Sequence, residues 1–154
     1  MDYGIVHSKA AKTEIVKVND DITDYWNRVI IKRYYEDGQL KFEGEYNDMP
    51  EELRDKPIGY TITCEEPFEF VTKSYTKEGL SRWYHENGQL FKEMNYTDGE
   101  ENGDLVIYHD NGKMMEQGLI VMGKRVGIWD FYDKTGHLYK KRDYDWPNYE
   151  EELL

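Results

Sequence analysis

Residues 103–126 read GDLVIYHDNGKMMEQGLIVMGKRV, residues 127–144 read GIWDFYDKTGHLYKKRDY, and the second stretch repeats the pattern of the first. In each, a glycine (Gly103, Gly127) is followed five residues later by a tyrosine (Tyr108, Tyr132), and four residues after that by a turn glycine (Gly112, Gly136). The period is 24 residues. Runs of alternating apolar and polar residues flank Asn111-Gly112 and Thr135-Gly136, the pattern of a β-hairpin closed by a tight two-residue primed turn. Repeats of this length predict stacked units that touch their neighbours and present an extended surface rather than a catalytic pocket.

The same unit occurs upstream. Residues 79–96 (GLSRWYHENGQLFKEMNY) place their turn at Asn87-Gly88, and residues 29–46 (VIIKRYYEDGQLKFEGEY) place theirs at Asp37-Gly38, with Val29 where later copies have glycine. The segment 47–78 opens with a polar insertion, NDMPEELRDK. Residues 59–75 then form two β-rich runs without a turn glycine, expected to be a degenerate copy in which Cys64 stands at the tyrosine position as a packed thiol. Residues 1–28 do not fit the repeat. They are expected to cap the array's open edge, with a strand around Glu14–Val18. After Tyr144, Pro147-Asn148 is expected to begin a helical turn or an acidic tail carrying Glu150, Glu151 and Glu152. The expectation is one all-β domain: antiparallel hairpins in an elongated, twisted single-layer sheet with irregular caps.

Counting outward from two-residue turns sets Lys32 opposite Glu43, Arg82 opposite Glu93, Val106 opposite Gln117 and Asp130 opposite Lys141. Three of the four equivalent pairs join opposite charges, and one of these has reversed polarity. That recurrence supports the register, because opposed charges stabilise cross-strand pairs. This register sorts the side chains onto two faces. A core face holds Leu40, Leu90, Met114 and Leu138 after the turns, with Trp83, Leu105, Ile107, Trp129 and Phe131 and the strand-end Tyr46, Tyr96, Ile120 and Tyr144. The glycines that open the hairpins lie there too, leaving room for rings. The other face holds a ladder of Tyr34, Tyr84, Tyr108 and Tyr132, the charged pairs, and Phe91, Met115 and Tyr139.

Composition narrows the function. The net charge is −12, from 32 acidic and 20 basic residues, which argues against nucleic acid or an anionic membrane as partner and favours a basic one. Negative charge also keeps an exposed sheet soluble. A single cysteine excludes an internal disulfide and fits a reducing compartment; without a leader-like start or long apolar run, the expected location is the cytoplasm. No cofactor is expected. His85 and His109 recur at equivalent positions, but successive repeats stand about 10 Å apart, too far for both to bind one zinc at about 2 Å. No nucleophile elbow or phosphate loop is present, so no enzymatic activity is expected.

The unit G-x-x-x-x-Y-x-x-[DNT]-G-x-[LM], carried by 29–46 and 79–144, resembles the bacterial variant of the MORN repeat. RWYHENGQLFKEMNY in particular is similar to the unit of YwqK-family antitoxins. The resemblance implies an immunity or antitoxin protein that binds a cognate toxin and occludes its active site, or alternatively a non-inhibitory scaffold joining proteins. It supplies no catalytic residues. A basic toxin protein is the expected partner, with Glu43, Glu45, Glu65, Glu66, Phe91, Glu93, Met115, Tyr139, Trp146, Glu150 and Glu151 as candidate contacts.

Overall fold

The structure, a computed structural model, describes residues 12–18, 28–47, 51–65, 76–146 and 149–153. Eleven strands form one sheet: β1 (Lys12–Lys17), β2 (Val29–Tyr34), β3 (Leu40–Asn47), β4 (Thr61–Glu65), β5 (Thr76–Tyr84), β6 (Leu90–Thr97), β7 (Glu100–Tyr108), β8 (Met114–Val121), β9 (Lys124–Tyr132), β10 (Leu138–Asp143) and β11 (Tyr149–Glu152). Their order across the sheet is β11-β10-β9-β8-β7-β6-β5-β3-β2-β1-β4. Every neighbouring pair is antiparallel. The all-β hairpin array expected from the repeat is the fold.

The four charge-based pairings hold: Lys32 faces Glu43, Arg82 faces Glu93, Val106 faces Gln117 and Asp130 faces Lys141. The turns that close these hairpins are nonetheless three residues long, not two. In the first, Gly38 N–H donates to the Tyr35 carbonyl at 3.0 Å and Tyr35 N–H to the Gln39 carbonyl at 2.8 Å, while Gly38 takes φ +86°. This is a type I turn followed by a left-handed glycine. A three-residue loop displaces the pairing by one. A bulge immediately beyond it, with Lys41, Phe91, Met115 and Tyr139 as the extra residues, displaces it back.

The bulge corrects the expected faces near the turns. Leu40, Leu90, Met114 and Leu138 pair with Tyr34, Tyr84, Tyr108 and Tyr132 and so stand on the tyrosine face. Phe91, only 5% exposed, belongs to the core, and Met115 packs against it. Neither lies on the open face where a partner was expected to find it. Two-residue turns do occur, at the opposite ends of the strands. Asp98-Gly99 and Met122-Gly123 join Thr97 to Glu100 and Val121 to Lys124, and all four residues have positive φ, as a type I′ turn requires.

The main core gathers Phe91, Met94, Tyr96, Leu105, Ile107, Ile120 and Trp129. Arg125 lies 3.9 Å over the Trp129 ring and bonds both Glu116 carboxylate oxygens, at 2.9 and 3.1 Å. The hairpin-opening Gly103 and Gly127 have φ of +124° and +63° and sit where the pairing slips. They serve the backbone rather than making room for rings. A ring does lie against Gly118, where an added Cβ would collide with Trp129.

The ends depart from expectation in an informative way. β3 pairs directly with β5, so the 47–78 segment does not add a repeat between them; its β4 crosses back to pair outside β1. On the way, a short 3-10 turn (Glu51–Leu53) inserts fully buried Leu53 among Ile15, Val29 and Ile31. The Lys17 ammonium, 2% exposed by residue, donates to the carbonyls of Arg54 and Lys56 at 3.1 and 2.6 Å. The strand expected near Glu14–Val18 is present as β1, but it does not form the sheet's edge: β4 pairs outside it. At the other end, residues 149–152 form a strand and not a helical turn. Their acids pair across from Lys140, Lys141 and Arg142 on β10, which holds the segment extended. Pro147, Asn148 and Glu66 lie outside the described residues, as does the Cys64 side chain.

Candidate partner-binding face

On the tyrosine face each repeat tyrosine reaches back to a polar group on the preceding strand. Tyr34 donates to Glu14 at 2.7 Å, Tyr84 to Glu43 at 2.7 Å and Tyr108 to Glu93 at 3.1 Å. In the next step Gln117 replaces the carboxylate, and its amide donates to the Tyr132 oxygen at 3.1 Å. Arg82 ties neighbouring steps together, 3.0 Å from Glu93 and 3.7 Å from Glu43. Lys141 closes on Asp130 at 3.0 Å.

These contacts set the ionisation of the face. Burial and the bond to Glu14 push the Tyr34 phenol up to about 12. Burial, followed by their glutamate partners, also raises Tyr84 and Tyr108. Bonds from Lys12 and Tyr34 lower the Glu14 carboxyl, and the bond to Glu93 raises Arg82. Tyr34, Tyr84 and Tyr108 therefore stay protonated at neutral pH and serve as fixed donors to the carboxylates of the row.

A second ladder joins the hairpin tips and gives the histidines a structural role. Tyr35 donates to the Tyr84 carbonyl at 2.7 Å, His85 Nε2 contacts the Tyr108 carbonyl at 3.1 Å, and His109 Nε2 contacts the Tyr132 carbonyl at 2.9 Å. Asn87 and Asn111 repeat the arrangement, donating to the carbonyls of Asp110 and Lys134. The recurrence of His85 and His109 at one position reflects this bridging from one hairpin to the next.

The candidate partner contacts divide sharply. Glu43 and Glu93 are engaged by Arg82 and the tyrosines, while Glu45 lies 3.4 Å from Arg28. Glu150 is held by Lys140 at 2.7 Å and Arg142 at 3.4 Å, and Glu151 faces Lys141. The backbone register of β4 with β1 sets Glu65 opposite Lys12, and the Glu65 side chain lies outside the described residues. Tyr139 and Trp146 remain exposed, at 43% and 73%.

Sequence reading overlooked another part of this face. Where flanking repeats set an opposite-charge pair, the β7–β8 hairpin sets Val106 against Gln117. Beside this neutral pair lies a shallow depression of about 400 Å³, lined in part by Leu119, Ile128, Asp104 and Asp130. The uncharged pair in the otherwise charged series was the available signal.

Stacked hairpins in one open antiparallel sheet define a repeat protein whose faces and edges are its working surfaces. Residues 30–48 and 77–98, which span the β2–β3 and β5–β6 hairpins, match the family model of the MORN repeat variant. The chain thus carries MORN-variant repeats, which suggest a binding role, including protein–protein interaction. No curated protein and no solved structure matches the chain.

Proposed function

We propose that this protein is an immunity or antitoxin protein that binds a basic toxin in the cytoplasm and covers its active site, acting by contact and not by catalysis. The observation that carries the reading is an excess of 12 negative charges on a hairpin-repeat scaffold. Internal ion pairs consume carboxylates and cations in equal number and leave that excess in place. It accelerates encounter with a positively charged partner and repels nucleic acid. The test is co-expression with the product of the adjacent gene. Co-purification together with rescue of cells from that product supports the reading, whereas a harmless neighbour, or one that does not bind, removes it. The MORN-type hairpins also favour a second reading, a scaffold that joins proteins without inhibiting them. Binding without rescue would select it.

A further inference from the structure

Four of the eight exposed large hydrophobic residues among the described residues gather at one end of the tyrosine face. They are Leu119, Val121, Met122 and Ile128, exposed by 44, 41, 72 and 58%. Leu119 and Val121 follow Gln117 at alternate positions on β8, and Ile128 precedes Asp130 by two on β9, so all three share that face. The pairing sets Asp104 beside Leu119 and Asp143 beside Ile128. The β8–β9 pairing slips here and sets Leu119 against Val126, but Leu119 and Ile128 line the same depression, so β7 to β10 carry an acid, two apolar residues and an acid in turn, spread over roughly 14 Å at about 4.8 Å per strand. Asp104 is exposed and makes no ion pair among the described residues.

Met122 adds a separate indication. It occupies the first position of a type I′ turn at φ +48°, where the equivalent residue of the preceding turn is Asp98. A side chain such as methionine pays a steric cost in this conformation that aspartate or asparagine tolerates better. Local folding does not call for an exposed methionine here, whereas a flexible apolar contact does.

We infer that this patch docks a protein segment presenting one or two large apolar side chains flanked by lysine or arginine. The inference rests on the binding role proposed above and adds the contact point and its chemistry. Asp104 and Asp143 favour basic flanks beside Leu119 and Ile128, while exposed Lys124, paired with Val121, marks the turn end as the side where a basic flank does not fit; the apolar centre, ringed by polar groups, has the layout of an interface hot spot. A second copy of this chain fits poorly, because it would bring another 12 negative charges and the same aspartates to the contact.

The test uses the full chain with three synthetic peptides: an amphipathic leucine–lysine peptide, its leucine–glutamate counterpart and a serine–lysine peptide. The first is expected to bind and to shift the backbone amide resonances of Asp104, Leu119 and Ile128. Its affinity should fall about tenfold or more in the double variant Leu119→Thr/Ile128→Thr. Asp104→Asn should weaken binding less and reduce its salt dependence. Both other peptides should bind more weakly. Absence of binding by the leucine–lysine peptide, equal binding by the double variant, equal binding by the glutamate peptide, or resonance shifts elsewhere would each overturn the inference. The adjacent gene's product then separates the two claims. If that protein binds the double variant as tightly as the wild type, the docking site is wrong while the antitoxin reading stands. If it binds neither but the peptide maps to the patch, the reverse holds.

Discussion

The Tyr84 hydroxyl donates a 2.7 Å hydrogen bond to the Glu43 carboxylate across the β3–β5 boundary, where the 47–78 excursion interrupts the chain. The contact continues the tyrosine ladder over a break in sequence. Tyr84→Phe should therefore cost about 1 kcal/mol, as expected for one hydrogen bond to a charged acceptor in a partly exposed setting. Urea unfolding of Tyr84→Phe, Glu43→Gln and the double variant measures the coupling. Fully additive losses would show that the bond contributes nothing.

One ladder tyrosine and one core tyrosine make the fold sensitive to alkali. Tyr34 and Tyr46 are pushed up to about 12, first by burial, from an ordinary value of 10.0. Below pH 10 the folded and unfolded chains both hold these protons; between about 10 and 12 only the folded chain does. Their contribution is thus complete below pH 10 and is lost as pH rises through that window. Absorbance titration of the phenols should show late-ionising tyrosines whose titration coincides with unfolding.

Lys77 behaves in the opposite sense. Burial, then the nearby cations Lys92 and Arg33, bring its ammonium down to about 8 from 10.5. It lies 5.3, 5.0 and 4.5 Å from the ring centres of Phe42, Trp83 and Tyr96. Between pH 8 and 10.5 the unfolded chain holds a proton that the folded chain has released, so this group makes stability rise with pH across that interval. Lys77→Met should raise the urea midpoint at pH 7 and flatten the rise between pH 8 and 10. A lowered midpoint would mean that the three rings stabilise the charge by more than burial costs it.

Two glycines of one hairpin should fail for different reasons. Gly118→Ala drives a methyl group into the Trp129 ring, an overpacking expected to cost about 1 to 3 kcal/mol. Gly127→Ala meets open space but retains φ +63°, and should cost about 1 to 2 kcal/mol through backbone strain. In a Trp129→Leu background the first penalty should shrink while the second persists. Thermal unfolding of the set distinguishes the two.

Met122→Asn should stabilise the protein by about 0.5 to 1 kcal/mol, since Asn-Gly suits a type I′ turn. The same change should weaken binding of the leucine–lysine peptide. A stability gain with unchanged binding would place Met122 outside the docking contact.

The sequence by itself determined the repeat, the strand pairing at its centre and most of the main core, Phe91 and Met94 excepted. Those properties follow from period-two alternation and from charges that must meet across neighbouring strands, both local in the chain. The expected two-residue turns nevertheless led to the right register, because a bulge cancelled the extra loop residue. Near the tips the cancellation failed, which exchanged Leu90 with Phe91 and Met114 with Met115 between the faces. Tertiary structure alone decided the rest. The return of β4 to the far side of β1 and the capture of residues 149–152 by Lys140, Lys141 and Arg142 satisfy exposed strand edges, which no local pattern specifies. Likewise, the candidate acids were legible as acids, but only packing showed that most are held by this chain's own cations and phenols. What remains accessible at the tyrosine face is the uncharged interval around Leu119 and Ile128, because there the alternation of charge that closes the ladder elsewhere has lapsed.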